Sequence, residues 1–282
     1  MLKVGRSNLA LTIFVPWDCK NKCTFCTVKK DYKTFKLSLS EVISTLEQVF
    51  DIDSFKDVVI TGGEPLGDID KLIELLDCID SLQKKAHRKK NLYINTTIPK
   101  LSEEDEKKFI EALLRYHIDG FNVSRHIGVD FTTCDNDLMY DMKKAGCRLR
   151  VNSVISKWDG TEDEKKAVKD FIAFWRFHCD DISFRWDYRK AKDMNTLKSL
   201  DNPFVQFLNT FLEYEGSSGC LVCNDDYFEN ARIHFHRGCS STLIKFGDID
   251  ILNDVVISPD GSLHLDWEGH EIEPGKLKEA IR

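Results

Sequence analysis

Short runs of β-branched and aromatic residues alternate along the chain with longer stretches whose apolar positions recur at helical spacing. Leu9–Val15 reads as a strand. Leu39, Val42, Ile43, Leu46, Val49 and Phe50 then mark one face of a helix, with Ser38 or Ser40 as its N-cap. Strands are predicted at Val58–Thr61, Leu92–Thr96, Gly120–Ser124, Arg148–Ile155 and Ile182–Trp186. Between them, helices are predicted at Ile69–Leu82, Ser102–Tyr116 and Leu138–Ala145, and from about Thr161 to Phe177. Six strand–helix steps imply a parallel sheet wrapped by helices. Past residue 190 the pattern changes. A polar stretch leads into an amphipathic helix over Pro203–Tyr214, then a segment rich in glycine, cysteine and histidine, then strand-like Asp254–Leu265 around a Pro259-Asp260-Gly261 turn. Residues 191–282 are therefore expected to form a small C-terminal module.

Composition narrows the class. The 282 residues are 42% hydrophobic and 31% charged, as in a globular domain. Forty basic residues against 47 acidic ones give a net charge of −7, so no extended nucleic-acid surface is expected. No apolar stretch approaches the roughly 20 residues of a membrane span, and nothing resembles a signal-peptide cleavage site after Leu9–Trp17. A cytoplasmic location and no membrane partner are expected. Ten cysteines are many for such a chain, and six fall in two tight groups, at 19, 23 and 26 and at 220, 223 and 239. In a reducing compartment that grouping points to metal rather than disulfides.

Cys19, Cys23 and Cys26 can close around one metal centre. A four-iron cluster takes four ligands, so three thiolates leave one iron open to a non-protein group. A zinc knuckle or a chance grouping is the alternative reading of the spacing alone. Cys19-x3-Cys23-x2-Cys26, directly after a first strand, resembles the signature of the radical S-adenosylmethionine superfamily. Val58-Val-Ile-Thr-Gly62-Gly63-Glu64-Pro65 strengthens the resemblance. It sets glycines and a carboxylate at the C-terminal edge of a parallel sheet, where α/β folds bind ligands.

The resemblance implies an α/β fold, a partial (β/α)6 TIM-like barrel over residues 1–190, capped by the C-terminal module. It implies a [4Fe-4S] cluster on Cys19, Cys23 and Cys26, and S-adenosylmethionine chelating the open iron. Phe25 would lie near the adenine, and Gly62, Gly63, Glu64 and Pro65 would receive the ammonium. Looser matches give Ser124 near the methionine carboxylate or ribose, Asn152 as a ribose contact and Arg185 as a carboxylate partner. Asn95-Thr96-Thr97 stands where the family often carries Thr-Asn-Gly, and Thr97-Ile98 departs from that.

The implied chemistry begins with an electron from a flavodoxin or ferredoxin. Reductive cleavage of S-adenosylmethionine gives a 5′-deoxyadenosyl radical, which takes a hydrogen atom from a substrate carbon.

Cys220, Cys223 and Cys239 loosely resemble the auxiliary-cluster triplet of the GTP cyclase of molybdenum-cofactor biosynthesis. The cyclase's arginine-rich run and Gly-Gly tail are missing here. A second [4Fe-4S] cluster, a zinc site completed by His234 or His236, and unligated cysteines all remain open. The tail favours a small polar or nucleotide substrate. A ribosomally made peptide is second, because few residues precede the first strand and a leader-binding domain would not fit there. A non-enzymatic iron–sulfur or zinc scaffold is the third reading, against which the intact Gly-Gly-Glu-Pro stands. Among single residues, Cys134, Arg125, His126 and Trp267 are candidates for the barrel mouth: Arg125 or His126 to meet an anionic group, Trp267 as a roof.

Overall fold

A computed structural model of the chain describes residues 2–4, 9–21, 23, 25–26, 38–129, 135–187, 202–219, 223–238, 243–246, 249–252, 254–265 and 270–281. Six strands and the five helices between them form its body. The strands are β2 (Leu9–Val15), β3 (Phe55–Gly62), β4 (Asn91–Thr96), β5 (Gly120–Ser124), β6 (Arg148–Ile155) and β7 (Asp181–Trp186). The helices between them are α1 (Leu39–Val49), α2 (Ile69–Lys85), α3 (Glu103–Arg115), α4 (Leu138–Lys144) and α5 (Glu162–Trp175). Local chemistry starts the helices where it should. Asp68 and Ser102 cap α2 and α3 through the N–H groups of Lys71 and Asp105, and Thr161 with Glu164 forms a capping box on α5. Ser38 stands at the N-cap of α1 but its side chain caps no helix N–H, while its own N–H donates to Pro259 O.

The strands after residue 190 extend this sheet at both ends. Here lie α6 (Pro203–Leu208), β8 (Tyr214–Gly219), β9 (Cys223–Phe228), β10 (Ile233–Gly238), β11 (Leu243–Phe246), β12 (Ile249–Leu252), β13 (Asp254–Ile257), β14 (Leu263–His264) and α7 (Pro274–Ala280). The main sheet has the order β14-β13-β2-β3-β4-β5-β6-β7-β10-β9-β8. From β13 through β10 every neighbouring pair is parallel; the outer pairs β14–β13, β10–β9 and β9–β8 are antiparallel. The two edges do not pair, so the barrel stays open. A separate small sheet joins β1 (Leu2–Val4), β12 and β11.

One face of the sheet is the core. Leu11, Ile13, Val58, Ile60, Ile94, Val123, Val151 and Phe184 are fully buried, beneath helix residues such as Leu46, Leu72, Phe109 and Met142. Burying each such side chain is worth about 1.5–3 kcal/mol. The alternate residues, among them Thr61, Asn95, Asn122, Ser124, Arg150, Asn152 and Ser183, face the open side. That side is polar. Asn122 Nδ2 donates to Asn95 Oδ1 at 2.8 Å, and Asn95 Nδ2 to Thr61 Oγ1 at 3.1 Å.

The helix expected over 203–214 stops at Leu208. Thr210 and Phe211 N–H turn back onto Phe207 and Leu208 carbonyls three residues earlier, a tightened last turn, and Tyr214 is already in a strand. Asp254–Leu265 forms a hairpin about the expected Pro259-Asp260-Gly261 turn. Its turn rests on α1, where Thr45 Oγ1 donates to Gly261 O at 2.6 Å.

Candidate cofactor site

The C-terminal ends of β2 to β7 share one edge of the sheet, and the chain leaving β3 there makes a turn open only to glycine. Gly62 has φ +133°, and a Cβ on it would stand 2.1 Å from Val15 O. The residue is glycine because β3 presses on β2. The next residues hook onto the approach to the cysteines: Gly63 N–H donates to Val15 O at 2.9 Å, and Glu64 N–H to Trp17 O at 3.1 Å. Pro65 opens a single 3-10 turn, Pro65–Gly67, whose N-cap is Glu64.

Glu64 is 2% exposed. Oε1 accepts from Leu66 N–H at 3.2 Å and from the Thr96 hydroxyl. Oε2 accepts from Thr97 N–H at 2.8 Å and Thr97 Oγ1–H at 2.5 Å. All four donors are neutral. Burial pushes the carboxyl upward from its ordinary pKa, while the Thr96, Thr97 and Leu66 hydrogen bonds pull the other way. The Cys19 thiol is also raised, by burial first and further by the Glu64 charge, against hydrogen bonds from Asn21. Asn21 Nδ2 lies 3.7 Å from Cys19 Sγ.

Cys19, Cys23 and Cys26 are partly buried, and Cys26 N–H closes a turn on Cys23 O at 3.2 Å. Among the described residues no three His, Cys, Asp or Glu side chains meet as a metal site, these thiols included. Phe25, inside the loop, meets the His126 ring edge-on, with centroids 4.5 Å apart. His126 Nδ1 accepts Val154 N–H at 3.0 Å, which places the ring proton on Nε2. Burial first, then the Arg185 and Arg125 charges, hold this imidazole down to about pKa 3. It is neutral at pH 7.

Ser124 and Asn152 are register partners across β5 and β6, and Arg185 pairs with Val154 one step further toward the sheet edge. Asn152 Oδ1 is buried without a hydrogen-bond partner. Arg125, expected at the mouth, turns inward instead and is 3% exposed. Its Nη1 donates to Thr97 O at 2.7 Å and Ser124 O at 2.8 Å, and its Nη2 to Asn136 Oδ1 at 2.8 Å. Two carbonyls and an amide oxygen thus hold it against the end of β4 and the start of α4. Cys134, Trp267, Cys220 and Cys239 lie outside the described residues. Cys223 opens β9, in register with Gly238 of β10. The hydroxyls of Thr96 and Thr97 were the unforeseen members of the site. Their signal in the sequence was a hydroxyl pair ending the strand beside Gly-Gly-Glu-Pro.

Residues 18–151, the span that holds the cysteines, the Gly-Gly-Glu-Pro turn and β3 to β5, match the Radical SAM superfamily. This is a radical S-adenosylmethionine domain. Over 79 residues, 28% of this chain, it is 28% identical to the probable dual-specificity RNA methyltransferase RlmN of Parabacteroides distasonis, covering 23% of that protein. Its fold is that of Streptococcus suis SuiB, with a TM-score of 0.59, 16% identity, and 92% of this chain matched to 60% of that one. SuiB bound to S-adenosylmethionine matches at TM-score 0.50 and 19% identity over 72% of this chain and 45% of SuiB. The chain spans less than two thirds of the length of each of these proteins.

The residues present fit the group that names the superfamily. Glu64 is a buried carboxylate with only neutral donors, suited to an ammonium. Asn152 Oδ1 is a buried acceptor in want of a donor such as a ribose hydroxyl. Phe25 and His126 form an edge-to-face ring pair beside the cysteine loop, of a chemistry suited to a purine. Among the described residues no helix is long and apolar enough to cross a membrane.

Proposed function

We propose that the chain is a radical S-adenosylmethionine enzyme acting on a small polar molecule or nucleotide. Cys19, Cys23 and Cys26 hold a [4Fe-4S] cluster reduced by a flavodoxin or ferredoxin. When bound, cluster and S-adenosylmethionine together supply a 5′-deoxyadenosyl radical for hydrogen abstraction. The chain's own residues bind and orient. Glu64, backed by Gly62, Gly63 and Pro65, takes the ammonium. Phe25 and His126 flank the adenine, and Ser124, Asn152 and Arg185 serve the ribose and carboxylate. The observation that carries the reading is Glu64, a carboxylate buried among neutral donors and close enough to Cys19 to raise its thiol. The amide and hydroxyl row Thr61–Asn95–Asn122 on the open face supports a polar substrate.

Residues 191–282 act as a capping module in this reading. β9–β10 register sets Cys223 opposite Gly238, directly before Cys239, which supports a second cluster or a zinc ion on Cys220, Cys223 and Cys239. A peptide substrate is the second reading. It draws support from SuiB, solved with its precursor peptide SuiA and similar in fold over 92% of this chain at TM-score 0.58.

Anaerobic reconstitution with iron and sulfide, reduction with dithionite and assay for 5′-deoxyadenosine test the reaction. Product is expected from the wild type and none from Cys19→Ala/Cys23→Ala/Cys26→Ala. A fully loaded wild type that forms no 5′-deoxyadenosine overturns the proposal. Residual metal in the triple variant then reports on the tail, about four irons for a cluster and one zinc for the alternative.

A further inference from the structure

Side chains of successive strand residues point to opposite faces, so Thr96, the last residue of β4, and Thr97 would not share a partner if the strand ran on. They do. Both hydroxyls, and the Thr97 N–H, reach the Glu64 carboxylate. Ile98 makes this happen: it sits at φ +49°, in the left-handed region where a β-branched residue is an outlier. Its side chain is fully buried and its N–H donates to Thr96 Oγ1 at 2.8 Å. Arg125 Nη1 on Thr97 O and Asp135 N–H on Ile98 O, both near 2.7–2.8 Å, hold the turn from outside. Backbone strain of this kind persists where the surroundings over-determine it, typically at ligand clamps.

An ionised carboxylate offers about four acceptor positions. Leu66 N–H, Thr97 N–H and the two hydroxyls fill that number at Glu64. An incoming ammonium must therefore take over one of these places. The two N–H donors are fixed in the backbone, and Thr96 Oγ1 is tied to Ile98. Thr97 Oγ1 is the donor that can swing away.

We propose that the Thr97 hydroxyl is a stand-in for the ammonium of S-adenosylmethionine: it fills that position on Glu64 in the free protein and yields it when the ligand binds. This rests on the reading that Glu64 receives the ammonium. The exchange replaces a neutral hydrogen bond with a charge-assisted one, which is stronger. Thr96, Ile98 and Arg125 meanwhile keep the carboxylate in place. Breaking the Thr97 bond subtracts from affinity, and a residue of the same shape without a hydroxyl has no bond to break.

Equilibrium binding to the cluster-loaded, unreduced protein tests this, with S-adenosylmethionine and its deaminated 2-oxo analogue as the two probes. Thr97→Val should bind S-adenosylmethionine about 5- to 10-fold tighter than the wild type, the worth of one neutral hydrogen bond. Its ligand-free melting temperature should fall. The analogue, which brings no ammonium, should bind wild type and variant alike, and Thr97→Ser should restore wild-type affinity. Thr97→Ala serves in the same assay if the valine variant does not fold. Unchanged or weaker binding of S-adenosylmethionine by Thr97→Val, or an equal shift for both probes, overturns the stand-in role. Failure of the loaded wild type to bind S-adenosylmethionine at all instead overturns the reading of Glu64 on which it rests.

Discussion

His126 is a histidine at which burial decides the charge. Its Nδ1 is committed to Val154 N–H, its ring face to Phe25, and two arginine charges stand nearby, so its pKa falls from 6.5 to about 3. In the unfolded chain the same imidazole takes up a proton near pH 6.5, and the folded chain resists it until about pH 3. Between those values the unfolded state binds more protons, so stability is complete above pH 6.5 and drains away as the pH falls. His126→Asn keeps an acceptor where Nδ1 stands and removes the titration. Denaturant unfolding at a series of pH values from 7 to 4 should show a shallower loss for the variant than for the wild type. Parallel curves would place the acid sensitivity elsewhere. None of this is visible in Ser124-Arg125-His126 as letters, where Arg125 and His126 look equally suited to an anion. One guanidinium turned inward and one imidazole turned against the cysteine loop is a matter of packing from Asn136, Val154 and Phe25.

At the scale of elements, Gly62 at the end of β3 and Gly128 after β5 show how two glycines with positive φ differ. At Gly62 the obstacle is β2 backbone, 2.1 and 2.7 Å from a Cβ; at Gly128, φ +76°, nothing lies within 4 Å. Gly128→Ala should cost only the conformational penalty, about 1 kcal/mol. Gly62→Ala should cost more than about 4 kcal/mol, because neither backbone can give way without unpairing β2 from β3. Chemical denaturation of the two variants gives the comparison, and similar midpoints would refute it. The repeating elements were legible from the sequence because their apolar periods agree with their burial, as in Gly120–Ser124 and Arg148–Ile155. The hairpin strands of residues 214–238 were not. Tyr214-Glu-Gly-Ser-Ser-Gly219 carries no alternation, and Cys223–Phe228 buries Asp226 as fully as Phe228. β8 pairs with β9 and β9 with β10, which itself pairs with β7, and a partner some 50 residues away leaves no local mark. The site divides similarly: the spacing of Cys19, Cys23 and Cys26 and the Gly-Gly-Glu-Pro run are local, whereas the Glu64–Thr97 bond joins residues 33 apart.

Across the whole molecule, Asp181 ties body to tail. It is 2% exposed and faces three basic side chains from two neighbouring strands. Arg148 Nε and Nη2 lie at 3.0 and 3.1 Å, Arg150 Nε at 3.2 Å, and His234 Nε2 at 3.6 Å. Burial alone would raise its pKa, yet the His234 contact and the two arginines bring it down to about 2. Its contribution is therefore present above the ordinary value of 3.8 and is lost as the pH falls toward 2. Asp181→Asn should destabilise the protein by on the order of 2 kcal/mol at pH 7. The gap from wild type should close below pH 4, and a difference independent of pH would mean that shape rather than charge is at work.

The other seam between body and tail sets an order of events. Thr12 Oγ1 donates to Asp254 Oδ1 at 2.7 Å across a separation of 242 residues, where β13 covers the edge of β2. At the fastest usual translation rate of about 20 residues per second, the ribosome needs roughly 12 s to reach the second partner after making the first. Until then the strand that leads into the cysteines has a bare flank, and the hairpin that steadies α1 does not yet exist. Iron and sulfide delivered to a nascent chain would meet three thiols on an unfinished scaffold. In the proposed reading, a cluster would thus be loaded after synthesis, on a chain that has already folded back upon its own beginning.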